Sequence, residues 1–352
     1  MFSSYRPEDV MILLKDITGL VTPLGTTERE AFIQSGVHYS EMLPLEYEPS
    51  PKYLSIYEKA LHLYAQITAD AVGIVSERIL QDKGQNTVLV SLARAGTSVG
   101  ILMKHYIDKK YGTDIAHYTI SIIRGKGIDK KAMSFILKRH PPQSIQFVDG
   151  WTGKGAIQRQ LDAAVLEYPN LNSGLAVLSD PAYVAEKCGT HNDFLIASSC
   201  LNSTVSGLLS RTFFRGDIID PDDFHGAAFY RSLLDKDLTY QFIDTVESHF
   251  NFNEAPDLST DGSGFVRHGV EEVEEICRHF QVSDINLVKP SIGEATRVLL
   301  RRIPWKVLVH SKNDEQHLGH LYQLAREKGV DVIEYPLQNY RACSLIQNFV
   351  DN

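Results

Sequence analysis

Cysteine is scarce in this chain of 352 residues. The four, Cys188, Cys200, Cys277 and Cys343, are far apart and form no Cys-x-x-Cys pair. That spacing excludes a dense disulfide framework and a cysteine-based zinc site, and a reducing cytoplasm is the expected setting. Positive charge is also in deficit: 35 Lys and Arg stand against 44 Asp and Glu, a net charge of −9. A protein that coats nucleic acid over its whole surface is excluded, although one local basic patch is not. No apolar run approaches the length of a membrane span, and the opening "MFSSYRPEDVMILLKDITG" carries acids ahead of a very short apolar stretch, unlike a signal peptide. Internal repeats and low-complexity tracts are missing too.

What is present is an alternation of strands and helices. Residues 53–80 repeat apolar side chains at helical spacing and predict one long helix. "NTVLVSLARAGTSVG" then predicts a buried strand, Val88 to Leu92, followed by a small-residue loop and a helix. "DIAHYTISII" ends on the basic, glycine-broken loop "RGKGIDKK", and "SIQFVD" opens onto "GWTGKGA". Repeated strand–helix alternation implies a parallel sheet with helices on its faces. The stretch "DIIDPDDFHG" to "NEAPDLSTDGSG" is acidic and broken, and a compact second α/β unit begins near Ser283. The expected divisions are residues 1–225, an extension and linker at 226–282, and a C-terminal unit at 283–352.

The segment Asp149-Gly150-Trp151-Thr152-Gly153-Lys154-Gly155 has the character of a phosphate loop without the spacing of a nucleoside-triphosphatase loop. Only two residues separate Gly150 from Gly153, and Gly155 stands where a magnesium-binding hydroxyl belongs. Backbone amides of Thr152 to Gly155 at a helix start would favour an anion, and Asp149 at a strand end could accept from sugar hydroxyls. A glycine-rich turn with a capping threonine remains the alternative. Between Lys289 and Lys312 lie Arg297, Arg301, Arg302 and Lys306, with Glu294 as the one acid. That reversal of charge suits a phosphate backbone or a solvated helix face. Ser210, Arg211 and Thr212 suit a substrate phosphate or base, or a helix cap. His317 and His320, with no third ligand in view, are expected on a solvated face.

"IQFVDGWTGKGA" resembles the phosphoribosyl-pyrophosphate signature of type I phosphoribosyltransferases. "VLVSLARAGTSVG" is similar to that family's pyrophosphate loop, and "IIRGKGIDKK" to its mobile covering loop, in the same order along the chain. "KPSIGEATRVLLRR…WKVLVHSKND…LYQLAREKGVDVIEYP" resembles the Pelota/L7Ae-like RNA-binding fold. The combination resembles the StiP family, bacterial proteins associated with tellurite-resistance stress clusters and also labelled cysteine proteases.

The resemblance implies a parallel-sheet phosphoribosyltransferase-like domain and a smaller α/β Pelota-like domain. It implies phosphoribosyl pyrophosphate, or a related sugar phosphate, bound with Mg, for synthesis of a nucleoside-like stress metabolite. Asp149, Gly150, Thr152, Gly153, Lys154 and Gly155 would hold the ribose phosphate. Arg94, Ala95, Gly96 and Thr97 would face the pyrophosphate, and Arg94, Arg124 and Asp149 would be the catalytic groups. RNA would meet Lys289, Gly293, Glu294, Arg297, Arg301 and Arg302. The departure is Gly150, where those enzymes carry a second acid. Two alternatives accompany this reading: a cysteine hydrolase using Cys200, with His191 nearby in sequence, and a non-catalytic RNA-binding regulator.

Overall fold

Strands of four or five residues with every side chain buried build the centre of the molecule, as expected for a parallel sheet covered on both faces. The computed structural model describes residues 2–254, 256–259 and 268–347. In chain order come β1 (Met11–Ile12), β2 (Lys15–Asp16), α1 (Thr26–Gln34), α2 (Pro51–Lys83), β3 (Val88–Leu92) and α3 (Ala95–Tyr111). Next are β4 (His117–Ile120), β5 (Ile122–Ile123), β6 (Gly127–Ile128), α4 (Lys130–Leu137), β7 (Ile145–Val148) and α5 (Ala156–Val165). β8 (Leu175–Ser179), β9 (Lys187–Thr190), β10 (Gly226–Ala227) and α6 (Thr239–Glu247) complete the first part. The second holds α7 (Gly269–Phe280), β11 (Val288–Pro290), α8 (Ile292–Arg301), β12 (Pro304–Val309), α9 (Glu315–Lys328), β13 (Asp331–Glu334) and β14 (Ala342–Ile346).

The large sheet runs β1-β4-β3-β7-β8-β9 with every neighbouring pair parallel. The expected strand Val88–Leu92 is β3, and the long helix is α2. Ser50 caps α2, Pro51 starts it without needing a hydrogen-bond donor there, and Gly84 at φ 70° ends it. No helix among the described residues is long and apolar enough to cross a membrane.

The smaller sheet is mixed, in the order β11-β14-β12-β13, with β12 and β13 parallel and the other pairs antiparallel. Helix α7 precedes it in the chain. Val273 and Ile276 of α7 join Val288, Leu308, Cys343 and Leu345 in one apolar cluster. Residues 226–282, expected as extension and linker, carry β10, α6 and the whole of α7, while 255 and 260–267 lie outside the described residues.

The two α/β units are not independent beads. A continuous apolar cluster runs from Val72 and Val75 of α2 through Phe194 to Leu201 and on to Ile292, Ala295 and Leu299 of α8. Helix α8 thus packs against the first unit through Ile292, Ala295 and Leu299 while also covering its own sheet.

Candidate functional site

In a parallel sheet the loops after the strands gather at one edge, so β3 and β7, which pair directly, deliver their loops side by side. Gly96, in the first turn of α3, makes that contact close. A Cβ there would lie 2.4 Å from the carbonyl oxygen of Val148 and 3.1 Å from Cα of Asp149. Gly150 faces Ala95, with 3.6 Å between an added Cβ and the alanine methyl. Arg94 starts α3 and donates from Nη1 to the carbonyl of Leu209 at 3.0 Å. Thr97 turns inward and its hydroxyl pairs with that of Thr119. The loops containing Arg94 to Thr97 and Asp149 to Gly155 thus touch.

Within the second loop, Asp149 is half-buried, and its Oδ1 accepts the amide of Gly150 at 2.8 Å. Burial pushes its carboxyl up to about 7, with Arg297 opposing the rise. The other groups differ from an open cradle. Thr152 donates its amide to Ser179 and its hydroxyl to Asp180. Lys154 reaches the carbonyls of Ile285 and Val288, 3.1 Å to the latter, and burial next to Lys289 and Arg124 lowers its ammonium to about 8. The Gly153 carbonyl accepts from the Tyr340 hydroxyl. Gly155 takes φ 72° as the residue before α5, a conformation natural to glycine. Thr152, Gly153 and Lys154 therefore knit the loop to the rest of the protein.

Arginines gather above these loops. Arg211 is depressed to about 10 by burial and then by Arg29, Arg94 and Arg297. Arg301 is depressed to about 9 by burial and then by Arg297 and Arg94. Among the described residues no carboxylate lies within ion-pair distance of Arg94, Arg211 or Arg301; Arg297 has Glu294 at 3.3 Å. Arg211 stands over the ring of Tyr39 at 5.5 Å, and Arg124, exposed on the β5–β6 hairpin, stands over the same ring at 5.8 Å. Such crowding of like charge is unfavourable in itself and becomes favourable when a polyanion enters.

The C-terminal unit supplies part of this cluster. Arg301 donates to the Cys200 carbonyl at 3.1 Å and to the Asn202 side chain at 2.5 Å, so it faces inward. Arg297 stands 6.0 Å from the Trp151 ring, Gly293 abuts Ser199, and Lys289 is half-buried. Arg302 is exposed. Asp193 joins the units, accepting the amides of Ile292 at 3.1 Å and Arg341 at 2.9 Å; burial holds its carboxyl up to about 7. A small cavity here is lined by Trp151, Ser179, Asp193, Ser199 and Gly293. The Ser199 hydroxyl on its wall is buried with no hydrogen-bond partner among the described residues.

No histidine among the described residues hydrogen-bonds the Cys200 thiol, and burial pushes that thiol to about 12, far from thiolate character. His191 instead faces Cys188, with Nε2 3.6 Å from Sγ, and its Nδ1 lies 2.7 Å from the Asp180 carbonyl. Sequence reading missed this group, although an Asp, a Cys and a His around two adjacent strand ends was the available signal. The expectation of a solvated face for His317 and His320 is corrected. His317 bonds Asp314 at 2.6 Å, and His320 packs against α8, bonding Thr296 at 2.9 Å, with burial pushing it down to about 4.

Comparison with known proteins divides the chain much as its two sheets do. A family described as "Tellurite-like stress resistance cysteine protease StiP" matches residues 3–247, and "PELOTA RNA binding domain" matches residues 267–348. A curated relative, "Cysteine protease StiP" of Acinetobacter baylyi, is 36% identical over 98% of this chain and 94% of its own length. Among solved structures, Helicobacter pylori xanthine-guanine-hypoxanthine phosphoribosyltransferase aligns over 39% of this chain and 77% of its own, at 14% identity and a TM-score of 0.21. The match over most of the first α/β unit, together with the near full-length relative, places this chain in the StiP family.

Proposed function

We propose that the protein is a phosphoribosyltransferase-type enzyme that takes phosphoribosyl pyrophosphate, or a related ribose phosphate, with magnesium, in the making of a nucleoside-like metabolite. The observation that supports this is the crowd of guanidinium groups from Arg94, Arg211, Arg297 and Arg301 beside the Asp149 loop, in a chain whose net charge is −9. Loss of pyrophosphate from C1 of ribose moves negative charge onto the departing group. Fixed cations already in place stabilise that charge without reorganisation. Asp149 is the group for the ribose hydroxyls, and Arg124 on its hairpin covers the entry.

Magnesium fits on one observation: Asp149 offers Oδ2, a hard oxygen that accepts no hydrogen bond from the described residues. The ion would be held chiefly by ligand oxygens and water, with Asp149 alone from the protein, and would add charge neutralisation at the pyrophosphate.

Calorimetry tests the reading. Phosphoribosyl pyrophosphate with magnesium should give binding heat that is lost in Asp149→Ala. An absence of heat, with no pyrophosphate released in the presence of candidate bases, would overturn it. A regulatory reading follows from the Pelota match, which supports RNA as a partner. It predicts salt-sensitive RNA binding that falls on Arg302→Ala, without pyrophosphate release.

A further inference from the structure

We propose that Asp180, Cys188 and His191 bind a divalent cation of the Zn²⁺ class, seated where two strands of the large sheet end. The site stands apart from the arginine cluster and does not depend on the ribose phosphate reading. The four scattered cysteines argue against a zinc site built on several thiolates. One thiolate joined by an imidazole and a carboxylate is a different donor set, and parallel strands assemble it. β8 and β9 pair with Ser179 opposite Thr190, and the Asp180 amide donates to the Thr190 carbonyl at 2.9 Å. Asp180 just past β8, Cys188 within β9 and His191 just past β9 thus meet at one corner, with a donor atom from each within 4.8 Å of the others.

Three features suit these residues to an ion. The first is spacing. With a metal–sulfur bond of about 2.3 Å and a metal–nitrogen bond of about 2.0–2.1 Å, two ligands of one tetrahedral ion stand about 3.6 Å apart. Cys188 Sγ and His191 Nε2 are 3.6 Å apart. The second is the tautomer. His191 Nδ1 is 2.7 Å from the Asp180 carbonyl, which can only accept, so Nδ1 carries the hydrogen and Nε2 presents its lone pair. A carbonyl bonded to the other ring nitrogen is the usual outer partner of a metal-ligating histidine. Tyr183 holds the imidazole further, its ring lying on it with centroids 3.8 Å apart and an 8° tilt. The third is the carboxylate. Asp180 is fully buried and accepts from the amides of Val184 and Ala185 and from the Thr152 hydroxyl. Those donors orient it, and the roughly four lone-pair sites of a carboxylate leave room for an ion as well.

Arg78 Nη1 lies 3.8 Å from Sγ, where it lowers the cost of losing the thiol proton. Thiolate and carboxylate then neutralise the divalent charge between them. The guanidinium, which also donates to the Cys188 carbonyl, therefore faces a complex with no net charge. Binding releases one proton from Cys188 to solvent and forms a metal–sulfur bond, with neither partner oxidised or reduced. Cys188 is 3% exposed and Asp180 0%, so the ion enters as the strand ends assemble. The His191 side chain is 20% exposed, which leaves the fourth position to water. Because Asp180 also holds the Thr152 hydroxyl, the ion fixes one anchor of the Asp149 loop. The rival occupant of the gap is the thiol proton itself, in a hydrogen bond to Nε2.

The test is titration of the full-length protein, stripped with a chelator and kept reduced, with Zn²⁺ and with Co²⁺. One equivalent of Zn²⁺ should bind and raise Tm. Bound Co²⁺ should show a sulfur-to-metal charge-transfer band and the strong visible bands of four-coordinate cobalt. Cys188→Ser should remove the charge-transfer band and weaken binding by more than the roughly 10–100-fold that an outer partner is worth, and His191→Ala should weaken it likewise. Cys277→Ser, at a half-buried thiol outside the site, should change neither. Affinity should fall as pH falls, because protons compete for the sulfur. The Co²⁺ spectrum of the unmodified protein reads sulfur ligation directly, so it decides even where a variant fails to fold. No stoichiometric uptake at micromolar metal, uptake without the sulfur band, or uptake unchanged in Cys188→Ser would overturn the proposal.

Discussion

Arg211→Met separates a ligand site from a merely buried arginine. The guanidinium falls from 12.5 to about 10, first through lost hydration and then through Arg29, Arg94 and Arg297. That difference corresponds to roughly 3 kcal/mol against the charged form in the ligand-free protein. Incomplete burial discounts it, and so does loss of the contact with the Tyr39 ring at 5.5 Å, leaving an expected net gain of about 1 kcal/mol. Most point changes destabilise, whereas this one should raise Tm by about 2 °C. The same change should remove stabilisation by pyrophosphate, which at a hundredfold excess over Kd would add about 2.7 kcal/mol to the unmodified protein. Thermal unfolding with and without pyrophosphate reads both effects. A variant that melts lower than its parent, yet still responds to pyrophosphate, refutes the reasoning.

Gly96→Ala would force a methyl to within 2.4 Å of the Val148 carbonyl, where backbone on both sides resists movement. It should cost about 1–3 kcal/mol by urea unfolding and abolish binding heat; wild-type values for both would show that the loops need not touch. Asp149 tests the pH dependence, because burial raises its carboxyl from 3.8 to about 7. A raised carboxyl favours folding when protonated, so its contribution is full below 3.8 and is lost as pH rises through about 7. Asp149→Asn keeps an acceptor for the Gly150 amide and should make stability decline less steeply across that window. An unchanged slope in urea midpoints would assign the titration elsewhere.

The sequence was most informative where burial and geometry coincide. β3 is five apolar or small residues in a row, and α2 carries its own start and stop in Ser50, Pro51 and Gly84, so neither needed tertiary context. The adjacency of the Arg94 and Asp149 loops comes from the direct pairing of β3 with β7, a strand order that strand–helix alternation along the chain does not specify. Other features depended on contacts between distant segments. Arg301 looked like part of a basic surface stripe, yet it bonds the Cys200 carbonyl across the interface. Thr152 and Lys154 looked like phosphate ligands because nothing local reveals Asp180 or the Val288 carbonyl as their partners. The Cys188 and His191 pairing depends on a turn at Asp180 to Tyr183 that brings a backbone carbonyl under the imidazole.

The Asp193 carboxylate has a consequence for how the molecule can be divided. It supplies the acceptor for the first amide of α8 and for Arg341, both in the C-terminal unit. Severing the chain between the units would strip one half of a helix-end acceptor and strand a carboxylate in the other. Two of the four crowded arginines would leave with the smaller fragment. Neither half would then hold the whole arginine cluster, so a complementation experiment, with the halves mixed and the return of a single cooperative unfolding transition followed, is the natural way to see the two units act as one.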